Sequence, residues 1–143
     1  MAVIVVDTDV YSYITSSDPR RGLPYKQHLD GHIIALSFIT VGEQYAGYLK
    51  QISKGTWPAA RLAKLEAGLR SVAIIPYDIQ VCKTFGALKA KSEGSGKSVA
   101  VSDLWIAACA QRHSLRLVTN NRRHYDAIPG LDIVSEAPGK RKR

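Results

Sequence analysis

Cysteine is scarce in this chain of 143 residues, which has only Cys82 and Cys109. Both stand in stretches with helical apolar spacing, so buried free thiols are expected and neither a disulfide nor a cysteine-held metal is. Long hydrophobic runs are missing as well. No stretch approaches the roughly 20 apolar residues that cross a bilayer, and the first residues read as a strand rather than as a charged segment leading a signal core. That predicts a cytoplasmic protein with no membrane partner. Acidic residues are few, 12 Asp and Glu against 20 Lys and Arg, for a formal net charge of +8. Such an excess favours a polyanionic partner such as nucleic acid and leaves an acidic protein partner open. His28, His32, His113 and His124 show no metal-ligand spacing, and no internal repeat is visible.

The length and a composition of 45% apolar and 22% charged residues suit one globular domain with a full core. We place that domain at residues 1–136 and read 137–143, which ends Gly139-Lys-Arg-Lys-Arg143, as a disordered basic tail. The organising stretch is Ala2-Val3-Ile4-Val5-Val6-Asp7-Thr8-Asp9. Its apolar run lacks alternation, the pattern of a central parallel strand buried on both faces, and it ends in two carboxylates. Residues just past the carboxyl ends of such strands line the binding crevice of an open α/β sheet.

A short helix is expected over residues 10–14, then a basic loop, Pro19-Arg20-Arg21-Gly22-Leu23-Pro24. His32–Ile39 forms a second apolar strand. Thr40-Val41-Gly42-Glu43 fits a capping box, which starts a helix near Val41 that carries Tyr45, Leu49 and Ile52 on one face and ends around Lys54-Gly55. Trp57-Pro58 opens another helix with a Leu62, Leu65, Leu69 stripe, making an αα-hairpin between strands. Residues 72–76 are a third strand, 78–91 a helix, and 92–98 a Gly/Ser loop. Gly-Ser-Gly-Lys-Ser98 resembles the end of a phosphate-binding loop, but Lys91 stands where that motif needs glycine and the loop follows a helix, so that reading fails. Ser102-Asp103 begins an almost uniformly apolar helix. Residues 115–119 form a fourth strand, Asn120-Asn121 caps a short helix toward Ile128, and residues 132–135 suit an edge strand.

Alternating strands and helices imply a three-layer α/β/α fold with a central parallel sheet and right-handed crossovers, so all strand carboxyl ends share one side. Asp7, Glu43, Asp103 and Asn121 each follow a strand or open a helix, and the topology lets them converge. Each could equally cap its own helix. Three acids at one mouth, however, repel one another and cost stability unless a cation sits among them. A hard divalent ion, Mg²⁺ or Mn²⁺, suits carboxylate and water ligands.

Asp7-Thr8-Asp9, Ile39–Glu43, Gly96–Ala108, and Leu117–Asn121 with His124-Tyr125 and Ile128–Leu131 resemble the ordered motifs of PIN-domain ribonucleases, most closely the VapC toxins of bacterial and archaeal toxin–antitoxin pairs. The resemblance spans nearly the whole chain. It implies a PIN-like parallel sheet between helices, with acids that bind one or two Mg²⁺ ions to activate water for cutting RNA. It assigns Asp7, Glu43 and Asp103 as the metal ligands and Asn121 as the fourth site residue. That family often has Asn where this chain has Asp9 and a further Asp where it has Asn121. Asp9 is thus a candidate for the missing charge, and Thr8 and Thr119 are candidates to orient acids or waters. Asp126, also a possible substitute, is expected at the surface. The resemblance further implies an antitoxin partner and a homodimer, for which a sheet edge and the two apolar stripes are candidate surfaces. Arg122, Arg123, Lys97 and the tail are candidates to hold the RNA backbone.

Two other readings use the same residues. A haloacid-dehalogenase-like phosphatase also begins with a hydrophobic run and Asp-x-Asp, but it needs acids on its last core strand, where this chain has Val118-Thr-Asn-Asn121. A non-catalytic RNA- or metal-binding PIN-like module is the other.

Overall fold

A computed structural model describes residues 2–96 and 98–136. Five strands form one sheet in the order β3-β2-β1-β4-β5, and every neighbouring pair is parallel. The strands are β1 (Ala2–Val6), β2 (His32–Ser37), β3 (Ala73–Ile75), β4 (Leu117–Val118) and β5 (Ile133–Val134). Between them run α1 (Thr8–Thr15), α2 (Leu23–Leu29), α3 (Phe38–Ser53), α4 (Arg61–Leu69), α5 (Ile79–Gly94), α6 (Val101–Arg112) and α7 (Arg122–Tyr125). Among the described residues no helix is long and apolar enough to cross a membrane.

The sheet is covered on both faces because its strands are apolar at successive positions. Val5, Ala35 and Leu117 point into a core filled by Val81 and Leu88 of α5 and Leu104, Ala107 and Ala108 of α6. Their chain neighbours Ile4, Val6, Leu36 and Val118 point the other way, against Val10 and Tyr11 of α1, Tyr25 of α2 and Leu65 and Leu69 of α4. Burying a side chain of the size of Leu36 or Leu104 contributes about 1.5–3 kcal/mol. This is the three-layer α/β/α arrangement that the alternation of elements predicts, with the αα-hairpin of α3 and α4 in its expected place.

Three local readings need correction. The first concerns α3, which does not begin with a capping box at Thr40 and Glu43. Ser37, the last residue of β2, is the cap, and its hydroxyl accepts from the Ile39 amide at 3.2 Å. The strand passes straight into the helix, leaving Thr40 buried and Glu43 in the second turn rather than the first. The second is α2, where the basic loop ends at a helix. Pro24, read as part of the loop, sits in the helix's first turn, where its missing N–H costs nothing. Gly22, at the entrance, is buried so close to α1 that a Cβ there would stand 2.7 Å from the Tyr13 carbonyl oxygen. The third is the Gly/Ser stretch, whose first residues belong to α5, which continues to Gly94. Cys109 is buried, Cys82 is half-buried, and both are free thiols. Of the proposed apolar stripes, Leu62, Leu65 and Leu69 join the core, whereas Leu49 is 50% exposed. Residues 137–143 and Lys97 lie outside the described residues.

Candidate active site: an acid-lined cleft

Four acids reach one cleft of about 200 Å³ at the carboxyl end of the sheet, which is lined by Asp7, Thr8, Asp9, Glu43, Asp103, Asn121, His124 and Tyr125. Asp7 is its floor, buried directly after the central strand. One carboxylate oxygen caps α1 by accepting from the Val10 amide at 2.9 Å, and the other accepts from the Thr119 hydroxyl at 2.5 Å. The capping reading of Asp7 therefore holds, but it accounts for only one of two oxygens. Burial raises the Asp7 carboxyl from its usual 3.8 to about 6; the charges of Asp9 and Asp103 push the same way, and the two hydrogen bonds oppose them.

Asp103 enters from the first turn of α6. Its two oxygens are held separately, by the Tyr125 hydroxyl at 3.1 Å and by Nδ1 of His124 at 3.0 Å. Because a carboxylate only accepts, the imidazole presents an N–H there. Tyr125 is itself buried, and burial together with the Asp7 and Asp103 charges moves its phenol far above the usual range, so its hydroxyl stays protonated and donating. Glu43 is exposed and arrives from α3, where its Oε1 accepts from the Thr8 hydroxyl at 2.7 Å. Thr8 also lies 3.0 Å from the hydroxyl of Thr40, the residue whose inward turn the early start of α3 produces.

Asp9 and Asn121, the two positions at which the chain departs from the resemblance, meet one another. The Asn121 side-chain amide donates to Asp9 Oδ2 at 2.5 Å, while the Asn121 backbone amide donates to the Thr119 hydroxyl at 2.9 Å. Asn121 is thus the residue that precedes α7, but its side chain does not cap that helix. Asp9 lines the cleft, whereas Asp126 is exposed and does not. Thr8 and Thr119 both bind acids, as their candidate role requires.

Sequence reasoning included His124 and Tyr125 in the last matching motif but assigned neither a role in the site. Both are brought in by α7, whose first residue follows Asn121, and their position three and four residues after it was the available signal. The other histidines are elsewhere: His28 contacts Glu136 and His32 bonds the Asp30 carbonyl. The Arg122 guanidinium donates to the Ile133 carbonyl at 3.4 Å, and Arg123 is exposed beside His124.

Among the described residues, no three Asp, Glu, His or Cys side chains stand in a ready-made ligand cluster. The carboxylates face a common space, but each is held by a hydroxyl, an amide or an imidazole. An all-oxygen donor set of this kind, with a buried carboxyl at its floor made reluctant to ionise, fits a hard divalent cation.

The model of the PIN domain family matches residues 4–129. Ribonuclease VapC2 of Haemophilus influenzae is 30% identical over 131 residues, covering 92% of this chain and 96% of that protein. The tRNA(fMet)-specific endonuclease VapC of Salmonella typhimurium is 27% identical, with 93% and 97% covered. Among solved structures, the DNA-bound VapBC complex of Salmonella typhimurium superposes with a TM-score of 0.80 at 26% identity, covering 94% of this chain and 98% of that one. A parallel sheet ending in an acid-lined cleft, and similarity along almost the whole length to proteins built the same way, establish that this chain belongs to the PIN-domain family, among its VapC members.

Proposed function

We propose that the chain is a metal-dependent endoribonuclease and the toxin of a toxin–antitoxin pair. The observation that carries this reading is the convergence of Asp7, Asp9, Glu43 and Asp103 from separate turns and helices on one cleft. Asp7, Glu43 and Asp103 would hold the ion, Mg²⁺ or Mn²⁺, with Asn121 and Asp9 as a bonded pair beside them. When bound, such an ion lowers the pKa of water and stabilises charge on the scissile phosphate and leaving oxygen. The protein's own part is geometric. The Val10 amide and Thr119 fix the two oxygens of Asp7, Tyr125 and His124 fix those of Asp103, and Thr8 steers Glu43. RNA as substrate agrees with the net charge of +8 and with the ribonuclease and endonuclease activities for which the relatives are named.

The VapBC complex supports an antitoxin as partner. For a second copy, the edge strand β3, the turn after it and the start of α5 offer Ile74, Tyr77 and Ile79, which are 46%, 64% and 68% exposed. The phosphatase reading gains nothing from the fold, because β4 is followed by Thr119, Asn120 and Asn121, none of them an acid.

The test uses purified protein freed of any bound partner. It is incubated with total RNA and with initiator tRNA in Mg²⁺, in Mn²⁺ and in chelator, alongside Asp7→Asn and Asp103→Asn variants. Discrete fragments that require metal and both acids are expected. Intact RNA with every divalent ion, combined with equal RNA binding by wild type and variants, would overturn the catalytic reading in favour of a binding module.

A further inference from the structure

A second pocket adjoins the acid cleft and is larger, about 430 Å³. It is walled by Ser98, Val99 and Ala100 ahead of α6 and by Arg123, His124 and Ala127 on and after α7, and it shares Asp103 and His124 with the cleft. The two spaces therefore adjoin at Asp103 and His124. We propose that this pocket is a nucleotide subsite that receives the residue next to the scissile phosphate, so that the chain selects its cleavage position through α7; the proposal rests on the ribonuclease reading above.

Three observations carry it. First, the volume falls within the range of small-molecule pockets and exceeds that of the acid cleft, so it holds more than a phosphate. Second, its polar groups are of two complementary kinds. Arg123 is exposed and makes no hydrogen bond or ion pair with another described residue, which leaves its guanidinium available for a phosphate or a base edge. His124 is half-exposed, with 55% of its side chain accessible, and its ring is held by Asp103 rather than free to rotate, as a stacking wall requires. Third, apart from Val99 the remaining walls ahead of α6 and after α7 are small: Ser98, Ala100 and Ala127 leave the space open where a bulky side chain would fill it. The acids give the chemistry no reason to prefer one base. A neighbouring pocket with a fixed ring and a free guanidinium does.

Two measurements test the subsite on the full chain. In chelator, where metal-dependent cleavage is suppressed, binding of a fluorescein-labelled mixed-sequence 12-nucleotide RNA is followed by anisotropy across a salt series. Arg123→Ala should weaken binding roughly tenfold and reduce the salt slope by about 1. Arg116→Ala, at the far end of β4 beside Asp132, should do neither, and it controls for the loss of one positive charge. With Mg²⁺, the ends of cleaved RNA are sequenced. Ser98→Trp, which fills the pocket from an exposed loop position and replaces no acid, should alter the base preference at a single position flanking the cut. Cleavage by wild type with an unchanged profile in Ser98→Trp, together with equal binding by Arg123→Ala and Arg116→Ala, would overturn the subsite and leave the ribonuclease standing. If the wild type cuts nothing, the ribonuclease reading falls. The anisotropy comparison then decides the pocket by itself: selective loss in Arg123→Ala supports it as an RNA site, and equal binding removes it.

Discussion

The floor and the rim of the acid cleft are built on different terms. At the floor, Asp7 is 3% exposed, has both oxygens committed, and pays for its burial with a carboxyl raised to about 6. At the rim, Glu43 and Asp9 are exposed and are steered by single contacts from Thr8 and Asn121. The floor is therefore a fixed reference that the fold maintains at a cost, and the rim is adjustable. Catalytic geometry should depend steeply on the contacts that hold the first and weakly on those that steer the second.

The largest effect that separates them is expected at Asp7. Asp7→Asn should lower RNA cleavage by on the order of 10³-fold or more while leaving the fold intact. The same change should stabilise the metal-free protein. Asp7 ionises near 3.8 when unfolded and near 6 when folded, so between those values the folded state holds the extra proton. Stability should fall as pH rises across that window, by about 3 kcal/mol, and level off above it. Thermal melts of wild type in chelator should show that slope and Asp7→Asn should lack it; equal slopes would mean that the floor carries no such cost.

Next in size is Thr119→Val, which leaves a buried carboxylate oxygen without its donor. Cleavage should fall about 10–100-fold and stability by about 1–3 kcal/mol, read from single-turnover rates and denaturant midpoints. A smaller change is expected at the Asp9–Asn121 pair. Asn121→Asp alone sets two carboxylates in contact, whereas adding Asp9→Asn restores an amide facing a carboxylate. A double-mutant cycle on melting in chelator should give a coupling of about 1 kcal/mol, and strict additivity would break the pair. Thr8→Val at the rim should be smallest, with less than a tenfold loss of activity and a stability change within about 0.5 kcal/mol. A loss as large as that of Thr119→Val would erase the distinction between floor and rim.

Much of this was legible in the sequence, for reasons that can be named. Continuous apolar runs marked β1 and β2, and the alternation of elements implied a parallel sheet with its acids on one side. The start of α3 was misplaced because Thr40 and Glu43 imitate a cap, whereas Ser37 gave no sign that a strand would pass directly into a helix. Contacts between distant positions were the least legible. Thr119 and Asp7 are 112 residues apart, as are Asn121 and Asp9, and no local pattern shows which donor will face which acid. His124 and Tyr125 were missed for the same reason, since their role depends on how closely α7 packs beside α6.

The central position of β1 has a further consequence for Asp7. With two strands on either side, β1 should exchange its amide hydrogens only in the largest opening events, because strand edges and helix ends fray at far lower free energy. The floor of the cleft is therefore tied to the last part of the molecule to come apart. Transient fraying of the edge strands, or of the segment ahead of α6, should therefore leave Asp7 anchored to β1 and the cleft floor in place.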